Sequence, residues 1–171
     1  MPSKTVTATF RIDEDSFKDL QEDAKKQNIS VNTLVNQLLL SYSHYDRLMK
    51  RFQLMKIPAS TFKTILEGST DEAIVAAAKT AGESIARTFV ITKLGAFTIE
   101  NMLEGFRTSS GYINAFEYSE FLSPGKITIT LTHNLGKKGS LFLEEWIRCQ
   151  LALVHRTAKF AVDEHSVIVD L

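Results

Sequence analysis

Three side chains near the start of the chain have the types and spacing to do recognition chemistry. Val6, Ala8, Phe10 and Ile12 alternate with Thr5, Thr7, Thr9 and Arg11. In an extended backbone a period of two sends these sets to opposite faces. One face is then apolar, and the other shows Thr7, Thr9 and Arg11. A threonine hydroxyl donates or accepts, while the Arg11 guanidinium donates two parallel hydrogen bonds to paired acceptors. A second candidate is Ser30, a good helix N-cap. The unpaired backbone N–H groups behind such a cap can receive a phosphate.

Weaker candidates lie further on. His133-Asn134-Leu135-Gly136-Lys137-Lys138-Gly139-Ser140 has two glycines, two lysines and a helix start. These features could hold an anion, but the spacing is not that of a phosphate loop, and an ordinary connection fits better. His133, Cys149, His155 and His165 are metal-ligand types, yet Cys149 and His155 lie six apart and share no helical face. Cys149 reads as a small buried apolar residue. Phe89, Phe97, Phe106, Tyr112, Phe116, Tyr118 and Phe121 could line an apolar pocket or simply fill a core. No nucleophile–base arrangement and no paired-carboxylate motif stands out, so the expectation is no enzyme, no cofactor and no metal.

The elements that position the first candidates occupy residues 5–42. A strand at 5–12 is followed by a helix that begins with Asp13 to Asp15, acids suited to the positive end of the helix dipole. Phe17, Leu20 and Ala24 form its apolar stripe, and Lys25-Lys26-Gln27-Asn28 closes it. From Ser30 a second helix carries Leu34, Val35, Leu38, Leu39 and Tyr42, more apolar surface than one thin partner covers. The strand has no neighbour to pair with, and a lone strand leaves its backbone groups unsatisfied. The simplest repair is the same strand from a second copy, antiparallel about a two-fold axis. The surplus apolar face of the second helix suits that dimer core.

Residues 4–48, with their register of strand, helix and SVNTLVNQLLLSY, resemble the ribbon-helix-helix family of DNA-binding proteins, which includes Arc and MetJ. The resemblance implies a β-α-α intertwined dimer whose paired ribbon enters the major groove. It implies base contacts from Thr7, Thr9 and Arg11, and phosphate contacts from Ser30, Val31 and Asn32 at the start of the second helix. It further implies a homodimeric, sequence-specific regulator of transcription, of the repressor type, with double-stranded DNA as partner. Two of these three readers are short, which implies modest specificity for one dimer and adjacent dimers on DNA.

Of 171 residues, 44% are hydrophobic, enough for a real core, and 20 basic residues balance 20 acidic ones. Residues 1–51 carry eight Lys and Arg against seven Asp and Glu, so placement rather than bulk charge must support DNA binding. One cysteine excludes an internal disulfide framework, and neither a signal core nor a membrane-length apolar run is present. The expected setting is a reducing cytoplasm, with no membrane.

The expected fold is mainly α with an α+β C-terminal part. Residues 1–51 form the ribbon-helix-helix domain and 55–171 the second, with Pro58 marking the boundary. A short helix at 60–67, a long one capped by Ser69 or Thr70, running to about 94 and stopped by Gly95, and a helix at 97–106 ending in a turn at 108–111 come first. Strands are expected at 112–118, 126–132, 157–162 and 167–171, with a turn at 123–125 and an amphipathic helix at 139–154. Strand-strand-helix-strand-strand implies an antiparallel sheet with a helix on one face. This second part would sense a small-molecule effector, add oligomer contacts or bind a protein partner. Two other functions are open: an antitoxin of a toxin–antitoxin pair, and a dimeric assembly protein that does not bind DNA.

Overall fold

The computed structural model describes residues 5–52, 54–113 and 115–171, and for 112 and 113 the backbone alone. The chain is mostly helical with one small antiparallel sheet, and it separates into two compact units, Met1–Arg47 and Leu48–Leu171. The division falls at Arg47, inside a helical run, rather than at Pro58. Leu48 and Met49 are buried, and the helical run has already ended at Arg51, ahead of the proline.

In the first unit, residues 5–13 take no regular secondary structure in the single chain, and among the described residues the first strand comes only at Glu117. Helix α1 (Glu14–Lys26) starts at Asp13, whose carboxylate accepts the Ser16 N–H at 2.9 Å. It ends in a Schellman motif: Ile29 N–H reaches Ala24 C=O, Asn28 N–H reaches Lys25 C=O, and Asn28 sits in the left-handed region at φ 55°. Helix α2 (Val31–Ser41) follows at once, then a π-helical turn over Tyr42–Asp46. Helix α3 (Arg47–Arg51) straddles the division.

The second unit continues with α4 (Ala59–Gly68) and α5 (Asp71–Thr80), then a π-helical turn over Ala81–Ala86. Helices α6 (Arg87–Leu94) and α7 (Ile99–Ile113) come next. Thr70 caps α5, and Gly95 at φ 85° stops α6 in the left-handed conformation that glycine tolerates. Helix α7 runs through residues 108–111, correcting the expected turn, and it occupies the start of the strand expected at 112–118. Turn-forming types do not end a helix that tertiary contacts hold. Ser110 bonds back to the Arg107 carbonyl, and Lys93 reaches Thr108 at 2.8 Å. The strand itself, β1, is Glu117–Ser123; the expectation for Asn114 lies outside the described residues.

Strand β2 (Lys126–Thr132) follows the tight Pro124-Gly125 turn; helix α8 (Gly136–Leu153), β3 (Lys159–Val162) and β4 (Ser166–Asp170) complete the chain. The sheet order is β1-β2-β4-β3, antiparallel throughout. Ile129 faces Val169 and Leu131 faces Val167 across the central pair. These four pack with Leu143, Ile147 and Leu151 of α8 and Met102, Leu103 and Phe106 of α7 into the main core. Fully burying each such side chain is worth roughly 1.5–3 kcal/mol before entropy is counted. The other sheet face carries Thr128 and Thr130, and there Phe121 and Ile168 remain exposed. Among the described residues, no helix is long and apolar enough to cross a membrane.

Helix α8 closes on the α5–π-turn segment through small groups. A Cβ on Gly82 would overlap the Cys149 sulfur and lie 2.8 Å from the Trp146 carbonyl oxygen. Lys79 of α5 pairs with Glu145 of α8 at 3.7 Å. Lys138 donates to the carbonyls of Glu67 and Ser69, a cation on the negative end of α4.

Candidate nucleic-acid interface

Thr7, Thr9 and Arg11 all lie exposed on the segment ahead of α1, which takes no regular secondary structure. So do the apolar residues between them: Val6 is 87% exposed, Phe10 63% and Ile12 46%. An alternating segment with both faces in water leaves its apolar side chains hydrated, at a cost that burial would remove. Helix α2 repeats the pattern. Leu34 is buried, whereas Leu38, Leu39, Leu40 and Tyr42 are exposed. The expected stripe of Leu34, Val35, Leu38, Leu39 and Tyr42 is therefore covered at its first turn and uncovered further along.

The α1–α2 turn sets the second candidate group. Because the Schellman motif folds the chain back over two residues, Ser30 falls directly at the start of α2. Its Oγ accepts the Thr33 N–H at 3.0 Å and lies 2.8 Å from Thr33 Oγ1. Its C=O accepts the Leu34 N–H. By helix geometry the N–H groups of Val31 and Asn32 have no acceptor within the helix. The first turn of α2 holds no acid, and Ser30 and Asn32 are exposed. An anion there would meet two amides and the positive end of the dipole. Asp13 contrasts with this: a carboxylate already fills the start of α1, held below its usual range by the Ser16 hydrogen bonds.

The remaining candidates are placed in the second unit. His133 is buried and Lys138 is occupied by the end of α4, so 133–140 is a structured connection rather than an open anion cradle. Cys149 is buried, and burial followed by Glu83 and Glu145 pushes its thiol up to about 11. It is a protonated packing group at neutral pH. His155 is exposed at the end of α8, in the left-handed region at φ 53°. Among the described residues no three of His, Cys, Asp and Glu gather as a metal-ion site. Of the aromatic set, Phe89, Phe106 and Phe116 are buried, Phe97 and Tyr118 half-buried, and Phe121 exposed; the Tyr112 side chain lies outside the described residues. The rings of Phe106 and Phe116 pack tilted against Trp146, with centroids 4.9 and 5.9 Å away, which is core packing.

Sequence reasoning missed one polar cluster on the sheet edge. Arg107 Nε and Nη2 both donate to Glu120 Oε2, at 3.1 and 2.6 Å, and Tyr118 O–H donates to the same oxygen at 2.7 Å. Arg107 Nη1 also holds Glu104 at 3.0 Å. Burial pushes the Glu120 carboxyl up, but Tyr118 and Arg107 outweigh it and keep it below the usual range. The cluster clamps α7 to β1; Glu104 and Arg107 are a local i,i+3 pair, but the Arg107–Glu120 contact spans 13 residues and carries no local signal.

No protein-family model, curated protein or solved structure matches the chain.

Proposed function

We propose that the chain is a homodimeric, sequence-specific DNA-binding regulator of transcription, acting in the cytoplasm through a ribbon-helix-helix unit. One observation supports the reading: residues 5–12 carry a strand's alternation in sequence, yet expose Val6, Phe10 and Ile12, and no strand lies beside them among the described residues. A second copy supplies the missing strand. The paired ribbon then turns its apolar face onto the uncovered leucines of α2 and its polar face outward. Arg11 donates to the major-groove edge of a guanine, while Thr7 and Thr9 read more weakly, through hydroxyl and methyl. Ser30, Val31 and Asn32 meet a backbone phosphate and fix the register. The second unit, a folded α+β body, adds contacts between dimers, senses an effector or holds a protein partner.

The near balance of charge in residues 1–51 supports a different reading, a dimeric assembly protein that uses the ribbon only to pair. Duplexes selected from a random pool by the full-length protein separate the two. On a selected duplex, Arg11→Ala loses roughly 1–3 kcal/mol per contact and relaxes preference at one position of each half-site. Ser30→Ala weakens selected and random duplexes alike, beyond about 1 kcal/mol of lost capping. Failure to enrich any duplex at low salt rejects DNA binding and leaves the assembly reading.

A further inference from the structure

The end of β2, the start of α8 and the β3–β4 turn meet at one buried imidazole. His133 is only 4% exposed, and both its ring nitrogens are engaged. Nδ1 accepts the Leu135 N–H at 3.1 Å, which in a neutral ring places the proton on Nε2. Nε2–H donates to Ser140 Oγ at 3.0 Å, and Ser140 O–H donates to the backbone carbonyl of Asp163. The His133 N–H reaches the His165 carbonyl at 2.9 Å. The Asp163 carboxylate in turn accepts the amides of His165 and Ser166, both at 2.7 Å. The protons run one way, from ring to turn. That direction rules out a serine activated by His133, because the nitrogen facing the hydroxyl already carries its proton.

We propose that this chain of hydrogen bonds is an acid-operated latch: uptake of one proton by His133 frees the start of α8 from the β3–β4 turn. The proton would enter at Nδ1, where the Leu135 N–H already points. Two donors would then face each other, and a cation would sit where the ring is buried. The neighbouring charges do not rescue it. Asp163 favours the cation and the exposed Glu164 adjoins it in the turn, but His165 opposes it. On the helix side lie Lys137 and the engaged Lys138, and from α4 the Lys63 stem approaches Gly136. Burial, then His165, hold the folded imidazole below its ordinary range.

The sign follows. An opened His133 titrates near the free value of about 6.5, above the folded one, so acid below that point favours the open form. One proton is taken up per opening. The opening constant therefore rises by up to about tenfold per pH unit, until the folded-state value is passed.

The test is NMR of the isotope-labelled full-length protein between about pH 7.5 and 5. It follows the His133 ring and the exchange of the Leu135, Ser140, His165 and Ser166 amides, corrected for intrinsic rates. The latch predicts that these four amides lose protection with falling pH, at up to about tenfold per unit, while Ile129 and Val169 stay protected. In His133→Asn, where Oδ1 still accepts from Leu135 but nothing titrates, the pH dependence vanishes. If that variant does not fold, the wild-type ring and amides still decide. A ring that stays neutral with all amides protected until the whole unit unfolds together would overturn the latch and leave a core histidine.

Discussion

The two units spend their apolar residues in opposite ways. In the second, sheet and helices enclose Ile129, Leu131, Ile147, Val167 and Val169, each with no exposed surface at all. In the first, Ala24, Leu34 and Tyr45 are buried, while Val6, Phe10, Ile12, Phe17, Leu38, Leu39 and Leu40 face solvent. Both follow the same rules of periodicity and capping, so the difference is not one of sequence quality. One unit closes a core with its own chain; the other leaves most of its large apolar side chains exposed. Stability of the second should therefore be a property of the chain, and stability of the first a property of concentration.

The largest expected effect compares two phenylalanines of similar exposure. Phe10 is 63% exposed and Phe121 69% in the single chain. Phe10→Ala should weaken the dimer by about 3–5 kcal/mol per buried ring, a shift of more than a hundredfold in sedimentation equilibrium. Phe121→Ala should change stability by no more than about 0.5 kcal/mol. Equal, small effects would erase the distinction between the units.

Next comes the closure of the second unit. Gly82→Ala places a methyl against Cys149 and the Trp146 backbone and should cost about 1–3 kcal/mol in urea denaturation, at any protein concentration. Gln150 offers the reverse. It is fully buried, its amide donates to the Trp146 carbonyl at 3.0 Å, and its Oε1 has no hydrogen-bond partner among the described residues. Gln150→Met keeps the volume and removes the unsatisfied acceptor, so stability should rise by about 1 kcal/mol. A loss of more than that amount would show the oxygen to be partnered in solution.

The smallest expected effects come from a matched pair of helix ends. Asn28 closes α1 and His155 closes α8, each in the left-handed region of a Schellman motif. Glycine relieves both, by a few tenths to about 1 kcal/mol, with His155→Gly the larger because asparagine already tolerates that conformation. The gain from His155→Gly should appear at every concentration, and that from Asn28→Gly should add to the dimer's stability.

Local signals made much of this legible. Asp13, Ser30, Thr70 and Gly95 mark helix ends where the sequence places them, and the alternation of 126–132 gives β2 with its bounds. The four-stranded antiparallel sheet with α8 on one face follows from element order. What escaped was set by distant residues. Arg107 and Lys93 hold α7 through a run of turn formers, so the helix outlasts its local propensity. The unit division follows the burial of Leu48 and Met49 rather than the proline at 58. His133 and Ser140 read as a loop because their bonds depend on a turn some 23 residues further on. At the candidate interface Thr7, Thr9 and Arg11 lie exposed, but so do Val6, Phe10 and Ile12, and residues 5–13 form no strand in the single chain.

The most direct measurement of that dependence is amide hydrogen exchange at residues 6–12 of the full-length protein, followed across protein concentration. A two-copy ribbon predicts alternating protected amides, bonded to the partner strand, whose protection rises with concentration alongside that of α2. Amides 6–12 that exchange freely at every concentration, while the dimer is seen by sedimentation, would contradict the account.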